Sequence, residues 1–139
     1  MWLAHVAPHS PFQEPPTGTY SISNPTNNKR KYIAMIENMD YEIGRLLGNM
    51  SDAVRNNTII IFVGDNGTPN GALQYYPSGR GKASIYQGGV NVPLIVSGLG
   101  ISRKGEQEDA LVHVVDLNAT ILELTGNELP GGIHNSLSF

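Results

Sequence analysis

The chain has 139 residues, of which 40% are hydrophobic and 15% are charged, a balance typical of folded globular proteins and not of disordered ones. Its formal net charge is −3 and its longest basic run is Lys29-Arg30-Lys31, which argues against a dedicated nucleic-acid-binding protein. The absence of cysteine excludes disulfides, thiolate metal sites and a thiol nucleophile.

Neither a membrane span nor a signal peptide is predicted. No apolar run approaches the roughly 20 residues that a helix needs to cross a bilayer. Residues 1–5 lack a basic region followed by an apolar stretch, so we expect no signal peptide, and the localisation stays open.

The first half of the chain predicts a strand, a helix and a second strand. Residues 2–7 read as a strand that ends in a proline-rich loop. Apolar side chains recur at three- and four-residue steps over residues 29–50, which predicts an amphipathic helix. Residues 58–63 are predicted as a strand, because residues 59–63 are a continuous apolar run rich in β-branching, the pattern of a buried parallel strand.

The second half predicts a long loop, further strands and a helix. The loop covers residues 65–81, and a strand follows at residues 90–96, with Pro93 indicating an edge position, a bulge or a strand start. Residues 111–115 are short and apolar, and residues 116–124 predict a helix that ends at Gly126. This order predicts an α/β sandwich with a mostly parallel sheet flanked by helices, and too few strands to complete it.

Two polar side chains follow this apolar run after a single glycine, Gly64. Asp65 and Asn66 offer one carboxylate and one amide oxygen, which are ligands suited to a hard cation such as calcium. In open α/β sheets, ligands gather beyond the carboxyl ends of such strands. An Asp-Asn-Gly sequence is also an ordinary turn, so both interpretations stay open at this point.

Two cationic or titratable side chains are further candidates. His9 lies between two prolines directly after the first predicted strand, where it would contact an anion or protonate a leaving group, or else lie on the surface. Lys82 has glycines nearby on both sides, so it would either neutralise a sulfate or phosphate oxygen or remain a solvated loop lysine.

Five blocks of the sequence, in chain order, resemble motifs of the sulfatase family. They are A-P-H-S-P at residues 7–11, M-D-Y-E-I-G-R-L-L at 39–47, N-T-I-I-I-F-V-G-D-N-G at 57–67, G-K-A-S-I-Y-Q-G-G-V-N-V-P at 81–93 and D-L-N-A-T-I-L at 116–122. The segment I-H-N-S-L at 133–137 resembles the G-x-S-L segment that follows in the family. Together these blocks cover nearly the whole chain.

The resemblance implies a fold of the alkaline phosphatase superfamily and a role for each candidate residue. Asp65 and Asn66 would be two ligands of a calcium ion. Lys82 would bind a non-bridging oxygen of the sulfate ester, and His9 would lie near the leaving-group oxygen. Calcium would polarise the sulfuryl group and help to activate the nucleophile.

The sequence also departs from the family pattern. The formylglycine nucleophile of the family is made from Cys or Ser in a [C/S]-x-P-x-R motif, and no such motif is present, since Tyr75 stands at the nucleophile position of the nearest match. The family's further Asp ligands near the start are missing too. Gln87 replaces the usual Glu and Asn91 the usual Arg.

We therefore expect residues 1–139 to be a partial sulfatase catalytic domain that lacks the N-terminal nucleophile region and the C-terminal subdomain. The expected parent hydrolyses sulfate esters, either small molecules or sulfated glycans, by a calcium-assisted formylglycine mechanism, and the isolated chain is expected to be inactive. The alternatives are a phosphonate or phosphate monoesterase of the same superfamily, or a noncatalytic α/β fragment that acts in assembly or binding. Unpaired sheet edges would favour self-association.

Overall fold

Helix α1, Asn28–Gly48, is the longest element in a computed structural model that describes residues 1–131 and 135–139. The side chain of Asn27 accepts a hydrogen bond from the Arg30 N–H (3.0 Å) and so caps the helix N-terminus. Arg45 lies in the last turn, where a cation favours the helix dipole. The predicted helix over residues 29–50 is thus confirmed, with a shift of one or two residues at each end.

The loop that precedes α1 is attached to the helix by polar contacts. The carboxylate of Glu37 accepts bonds from the Ser21 N–H (2.6 Å), the Ser21 hydroxyl (2.8 Å) and the Ile22 N–H (3.3 Å). The Ser21 N–H, followed by its hydroxyl, lowers the pKa of Glu37 because these donors stabilise the carboxylate. Phe12 contacts Tyr32 edge to face, with 5.8 Å between ring centroids.

The sheet consists of two antiparallel strands, β1 (Ile59–Val63) and β2 (Leu94–Gly98). Ile59 pairs with Gly98 at one end of the ladder and Val63 with Leu94 at the other. Strand β2 begins directly after Pro93, so that residue marks a strand start, one of the three readings of the sequence.

Three short helical segments connect these elements. Helix α2, Asp52–Arg55, lies between α1 and β1 and is capped by the Ser51 hydroxyl. A 3₁₀ turn, Asn70–Ala72, interrupts the loop after β1 and contacts α1. Helix α3, Gln87–Val90, precedes β2.

Two predicted strands differ from the structure. Residues 2–7 are irregular, and the segment predicted as a strand from residue 90 begins with helix α3. The mostly parallel sheet is not seen in the part of the chain that the structure describes, where the strand pair is antiparallel. The physical reason is that a strand and its direction depend on a partner for the backbone N–H and C=O groups, which local sequence does not specify.

The chain divides into two compact units, Met1–Ser102 and Arg103–Phe139, and the second is organised by helix α4, Asp116–Leu124. This helix confirms the predicted bounds, and Gly126 follows it with φ of +71°. The N–H of Gly126 donates to Glu123 O (3.0 Å) and the N–H of Asn127 to Leu122 O (2.8 Å), the bond pair of a Schellman cap.

Residues near the end of the chain form hydrogen bonds with the groups at the N-terminal end of α4. Ser136 accepts from the Ala119 N–H (3.1 Å) and donates to Val115 O (2.7 Å). The Asp116 carboxylate accepts from the N–H groups of His113 and Leu137, which lower its pKa. Of the family-like segment at 133–137, Ile133 and His134 lie outside the described residues.

The hydrophobic core is small. The described residues with buried hydrophobic side chains are Ala34, Ala72, Leu73 and Ala119. The accessible surface is 10270 Å², whereas two separate compact bodies with the lengths of the two units would together expose roughly 8,300 Å². The chain therefore exposes more surface than two compact bodies of these lengths would, and large apolar side chains such as Trp2 and Leu111 are among the exposed residues. Among the described residues, none of the helices combines the length and the apolar character needed to cross a membrane.

Replacing Glu37 with Gln should lower the thermal unfolding midpoint at pH 7, because bonds from Ser21 to a charged carboxylate are stronger than bonds to an amide. The folded pKa of Glu37 is depressed, so its stabilisation is fully present above the ordinary glutamate pKa of about 4.3 and is lost as the pH falls through the folded value. Circular-dichroism melting should show that the unfolding midpoints of the native chain and of the Glu37→Gln variant converge in acid. Asp40→Asn, at an exposed position of α1, is the control, and an equal loss in both variants would contradict the role of Glu37.

Candidate functional site

The Asp65–Asn66 corner lies where β1 ends. The Gly64 N–H donates to Pro93 O (2.9 Å), which extends the pairing with the β2 side by one residue before the chain turns. Asp65 and Asn66 are both exposed, and the Asn66 side-chain amide donates to Asp65 Oδ2 at 2.6 Å. The two side chains thus form a local polar pair that is open to solvent.

The chain after this corner lies directly against another backbone segment. A Cβ atom at Gly67 would be 2.2 Å from Gly88 O and 2.5 Å from Gly89 Cα, so any side chain there would force the segments apart. The Thr68 N–H donates to Gly88 O (3.0 Å) across the same contact. The segment after Asp65 and Asn66 therefore lies so close to helix α3 that only glycine fits at position 67.

Lys82 is held against the same segment from the other side. Its N–H donates to Thr68 O (2.8 Å), and its side chain is half-buried. Gly81 beside it is buried, and a Cβ there would be 2.3 Å from Thr68 O. The Ser84 hydroxyl donates to Gly81 O (2.7 Å) and closes the turn. Thr68 thus joins the segment of Asp65 and Asn66 to the segment of Lys82 through backbone atoms alone.

A third set of close contacts completes this arrangement. A Cβ at Gly88 would be 2.5 Å from Arg80 O and 2.6 Å from Tyr76 Cδ2, and one at Gly89 would be 2.2 Å from Ser84 O. We call residues 64–68, 80–84 and 86–93 the glycine junction. It brings together chain segments from two family-like motifs, residues 57–67 and 81–93.

His9 lies in a separate loop of the first unit. Cis peptide bonds precede Pro8 and Pro11, the His9 N–H donates to Val6 O (2.9 Å), and Nδ1 is 2.7 Å from Ser10 O. The imidazole is exposed, and no described hydrogen bond links it to the glycine junction. Phe12 anchors this loop, since its ring packs on α1 and lies 3.8 Å from the Cβ position of Gly71.

The donors at the corner fit calcium in kind and fall short in number. One carboxylate and one amide oxygen are hard ligands, whereas calcium takes six to eight oxygens. Across residues 1–131 and 135–139, no three His, Asp or Glu side chains cluster closely enough to hold a metal ion. Asp65 and Asn66 therefore offer too few oxygens to hold a calcium ion by themselves.

Sequence reasoning missed two features of this region. Thr68 acts through its backbone N–H and C=O, and a residue that acts through the backbone leaves no side-chain signature. The Arg80 guanidinium lies over the Tyr86 ring, 4.5 Å from its centroid. Only the clustering of glycines on both sides of Lys82 hinted that these segments approach closely.

Comparison with known proteins identifies the family. The family model described as Sulfatase matches residues 1–127, and the chain belongs to the sulfatase family. A protein named "Sulfatase" from Formosa agariphila is 33% identical over 117 residues, which cover 77% of this chain and 21% of that protein. Arylsulfatase K of Gallus gallus is 32% identical over 118 residues, covering 84% of this chain and 21% of the relative.

A human relative is more similar over a shorter stretch. It is named N-sulphoglucosamine sulphohydrolase and is 38% identical over 87 residues, which cover 61% of this chain and 16% of that protein. The chain thus spans about a fifth of the length of the curated relatives that it matches. His9, Asp65, Asn66 and Lys82 all lie within the matched residues.

Replacing Gly67 with Ala should destabilise the first unit by about 1–3 kcal/mol, because the new methyl group would overlap the Gly88 and Gly89 backbone. Gly44→Ala is the matched control, since no heavy atom lies within 4 Å of the Cβ position there. In helix α1 that change should instead stabilise by roughly 0.5–1 kcal/mol. Urea unfolding followed by circular dichroism measures both, and a Gly67→Ala variant as stable as the native chain would refute the close packing.

Proposed function

We propose that this chain is part of the catalytic domain of an enzyme that hydrolyses sulfate esters. Residues 1–139 would supply one half of a calcium site and two contacts to the ester, and other parts of the same protein would supply the nucleophile and a C-terminal subdomain. The observation that carries the proposal is the glycine junction, where Thr68 holds the segment of Lys82 beside the segment of Asp65 and Asn66, inside the sulfatase match.

Asp65 and Asn66 are the proposed calcium ligands. Their oxygens are hard donors at the end of a strand, and both side chains are exposed, so further ligands have access to them. Such an ion would act as a Lewis acid toward an oxygen of the sulfuryl group. The Asn66 amide N–H donates a hydrogen bond to Asp65 Oδ2. The other carboxylate oxygen of Asp65 and the amide oxygen of Asn66 are therefore the atoms proposed to bind the metal.

Lys82 and His9 are the proposed contacts to the ester. The Lys82 ammonium would pair with a non-bridging sulfate oxygen, and the bond from the Lys82 N–H to Thr68 O fixes the backbone from which this side chain extends. His9 would lie near the leaving-group oxygen. When its Nδ1–H donates to Ser10 O, the Nε2 atom remains to carry the proton that a departing oxygen requires.

The chemistry within these residues is incomplete. No [C/S]-x-P-x-R motif for a formylglycine, the nucleophile of the family, occurs in the sequence. We therefore propose that the chain by itself does not turn over sulfate esters. It contributes binding and charge, to which a nucleophile from elsewhere in the parent protein would be added.

The exposed surface supports a larger fold around this chain. Each strand of the β1–β2 pair has one edge without a described neighbour, and Ile95 is 58% exposed. We propose that the pair belongs to the alkaline phosphatase-like sandwich of the family, within a larger and mostly parallel sheet. Without those neighbouring strands, the same edges would promote self-association of the isolated chain.

In a colorimetric assay with 4-nitrophenyl sulfate and millimolar calcium, the purified chain should release nitrophenol no faster than buffer, since it has no nucleophile. Turnover above that background would disprove the proposed division of the active site. An authentic arylsulfatase under the same conditions serves as the positive control.

Calcium binding tests the half-site separately. The native chain should bind calcium weakly, with a dissociation constant of about a millimolar or more, because it has few ligands. Asp65→Asn should weaken the binding further by removing the carboxylate, whereas Asp40→Asn on the exposed face of α1 removes the same charge elsewhere. Titration followed by NMR chemical shifts would measure both, and identical curves for the two variants would show that Asp65 is not a ligand.

A further inference from the structure

Residues 102–109 lie at the boundary between the two compact units, Met1–Ser102 and Arg103–Phe139, and we call them the polar linker. All of them are exposed, and none belongs to a helix or a strand. Their sequence, S-R-K-G-E-Q-E-D, contains charged residues, Ser, Gln and Gly, and no apolar side chain. Such a segment has nothing to bury against a neighbouring part of a protein, so its exposure follows from its own composition.

Arg103 ties the polar linker into a loop. Its Nε donates to Glu106 Oε2 at 2.7 Å, and its Nη1 donates to the Glu108 carboxylate. Gly105 has φ of +69°, which lets the chain turn between the ion-paired residues. Exposed ion pairs contribute little stability, so such a loop opens readily in water. Lys104 and Gly105 therefore lie within a loop that is closed only by weak contacts.

Lys104 differs from Arg103 in the freedom of its side chain. Among the described hydrogen bonds and ion pairs none involves the Lys104 ammonium, whereas two carboxylates occupy the Arg103 guanidinium. A trypsin-like protease must take a free cation into an acidic pocket. It also cuts most easily in an exposed segment outside regular structure. Lys104 meets both requirements.

The basic residues outside the polar linker are held in conformations that resist cleavage. Five of the nine lie in helices α1 and α2, and these are Lys29, Arg30, Lys31, Arg45 and Arg55. Arg80 and Lys82 belong to the glycine junction, where the Arg80 guanidinium lies over Tyr86 and the Lys82 N–H bonds to Thr68 O at 2.8 Å. Cleavage at any of these seven positions would first require a helix or the junction to unfold.

We propose that the peptide bond between Lys104 and Gly105 is a processing site for a serine protease that cleaves after basic residues. The protease serine attacks the Lys104 carbonyl carbon, and the Gly105 nitrogen takes a proton and leaves as an amine. Water then hydrolyses the acyl-enzyme. The products are one fragment that ends in a Lys104 carboxylate and one that begins with a Gly105 amino group.

This cleavage would divide the chain close to the boundary of its two units. Residues 1–104 keep the candidate site residues, which are His9, Asp65, Asn66 and Lys82, and residues 105–139 contain α4. Arg103 and its two carboxylate partners would then belong to different fragments. The inference is independent of the proposed function, since it rests on the exposure and the ion pairs of the polar linker.

Limited digestion of the purified chain with trypsin, followed over time by intact-mass spectrometry, tests the site. The first products should be residues 1–104 and 105–139. Lys104→Gln should slow the first cut about threefold or more, because the remaining Arg103 must first leave its carboxylates. Lys29→Gln removes the same charge from an exposed position of α1 and should leave the rate unchanged. Circular dichroism checks that both variants are folded.

The position of the first cut decides the outcome. A first cut after Arg80, after Lys82 or within a helix would overturn the site, and so would no cleavage at all. A first cut after Arg103 in the native chain, or equal slowing by Lys104→Gln and Lys29→Gln, would show that Lys104 is not the preferred residue. Digestion in urea should abolish the preference for Lys104, whereas an unchanged preference would show that the fold does not cause it.

Discussion

The close approach of backbone to backbone at the glycine junction is the constraint on which the rest of the site depends. Four glycines, Gly67, Gly81, Gly88 and Gly89, allow carbonyl oxygens and Cα atoms to lie where a Cβ atom would otherwise be. The Thr68 N–H and C=O then join the segment of Asp65 and Asn66 to α3 and to Lys82. The candidate side chains of Asp65, Asn66 and Lys82 therefore extend from a backbone that cannot shift without breaking several contacts at once.

Outside this junction, local polar contacts and caps hold the structure together more than apolar packing does. Glu37 ties a proline-rich loop to α1, and Ser136 satisfies the N-terminal end of α4 from 17 residues away. Few hydrophobic side chains are buried, and the accessible surface exceeds that expected of compact bodies of this length. This exposure supports our proposal that the chain is one part of a larger catalytic domain, in which neighbouring strands and helices would cover the apolar faces.

Elements whose signals are local agree with the sequence reading, and those that depend on distant partners do not. Helices α1 and α4 follow from apolar periodicity, an Asn cap and a terminal glycine, all within a few residues. Residues 2–7 have the composition of a strand but no described partner, and β1 pairs antiparallel although its apolar run favours a parallel neighbour. Pairing direction is decided by the neighbouring strand, which lies far along the chain.

The sequence by itself determined the family and the chemistry available to it: the oxygens of Asp65 and Asn66, the cation of Lys82, the imidazole of His9 and the lack of a formylglycine motif. Side-chain chemistry and motif spacing are written residue by residue, so they can be read directly. The tertiary structure alone decided that Thr68 joins two of those motifs and that Arg80 lies over Tyr86. These contacts bring together segments separated along the chain, and one of them uses only backbone atoms, which every residue type possesses.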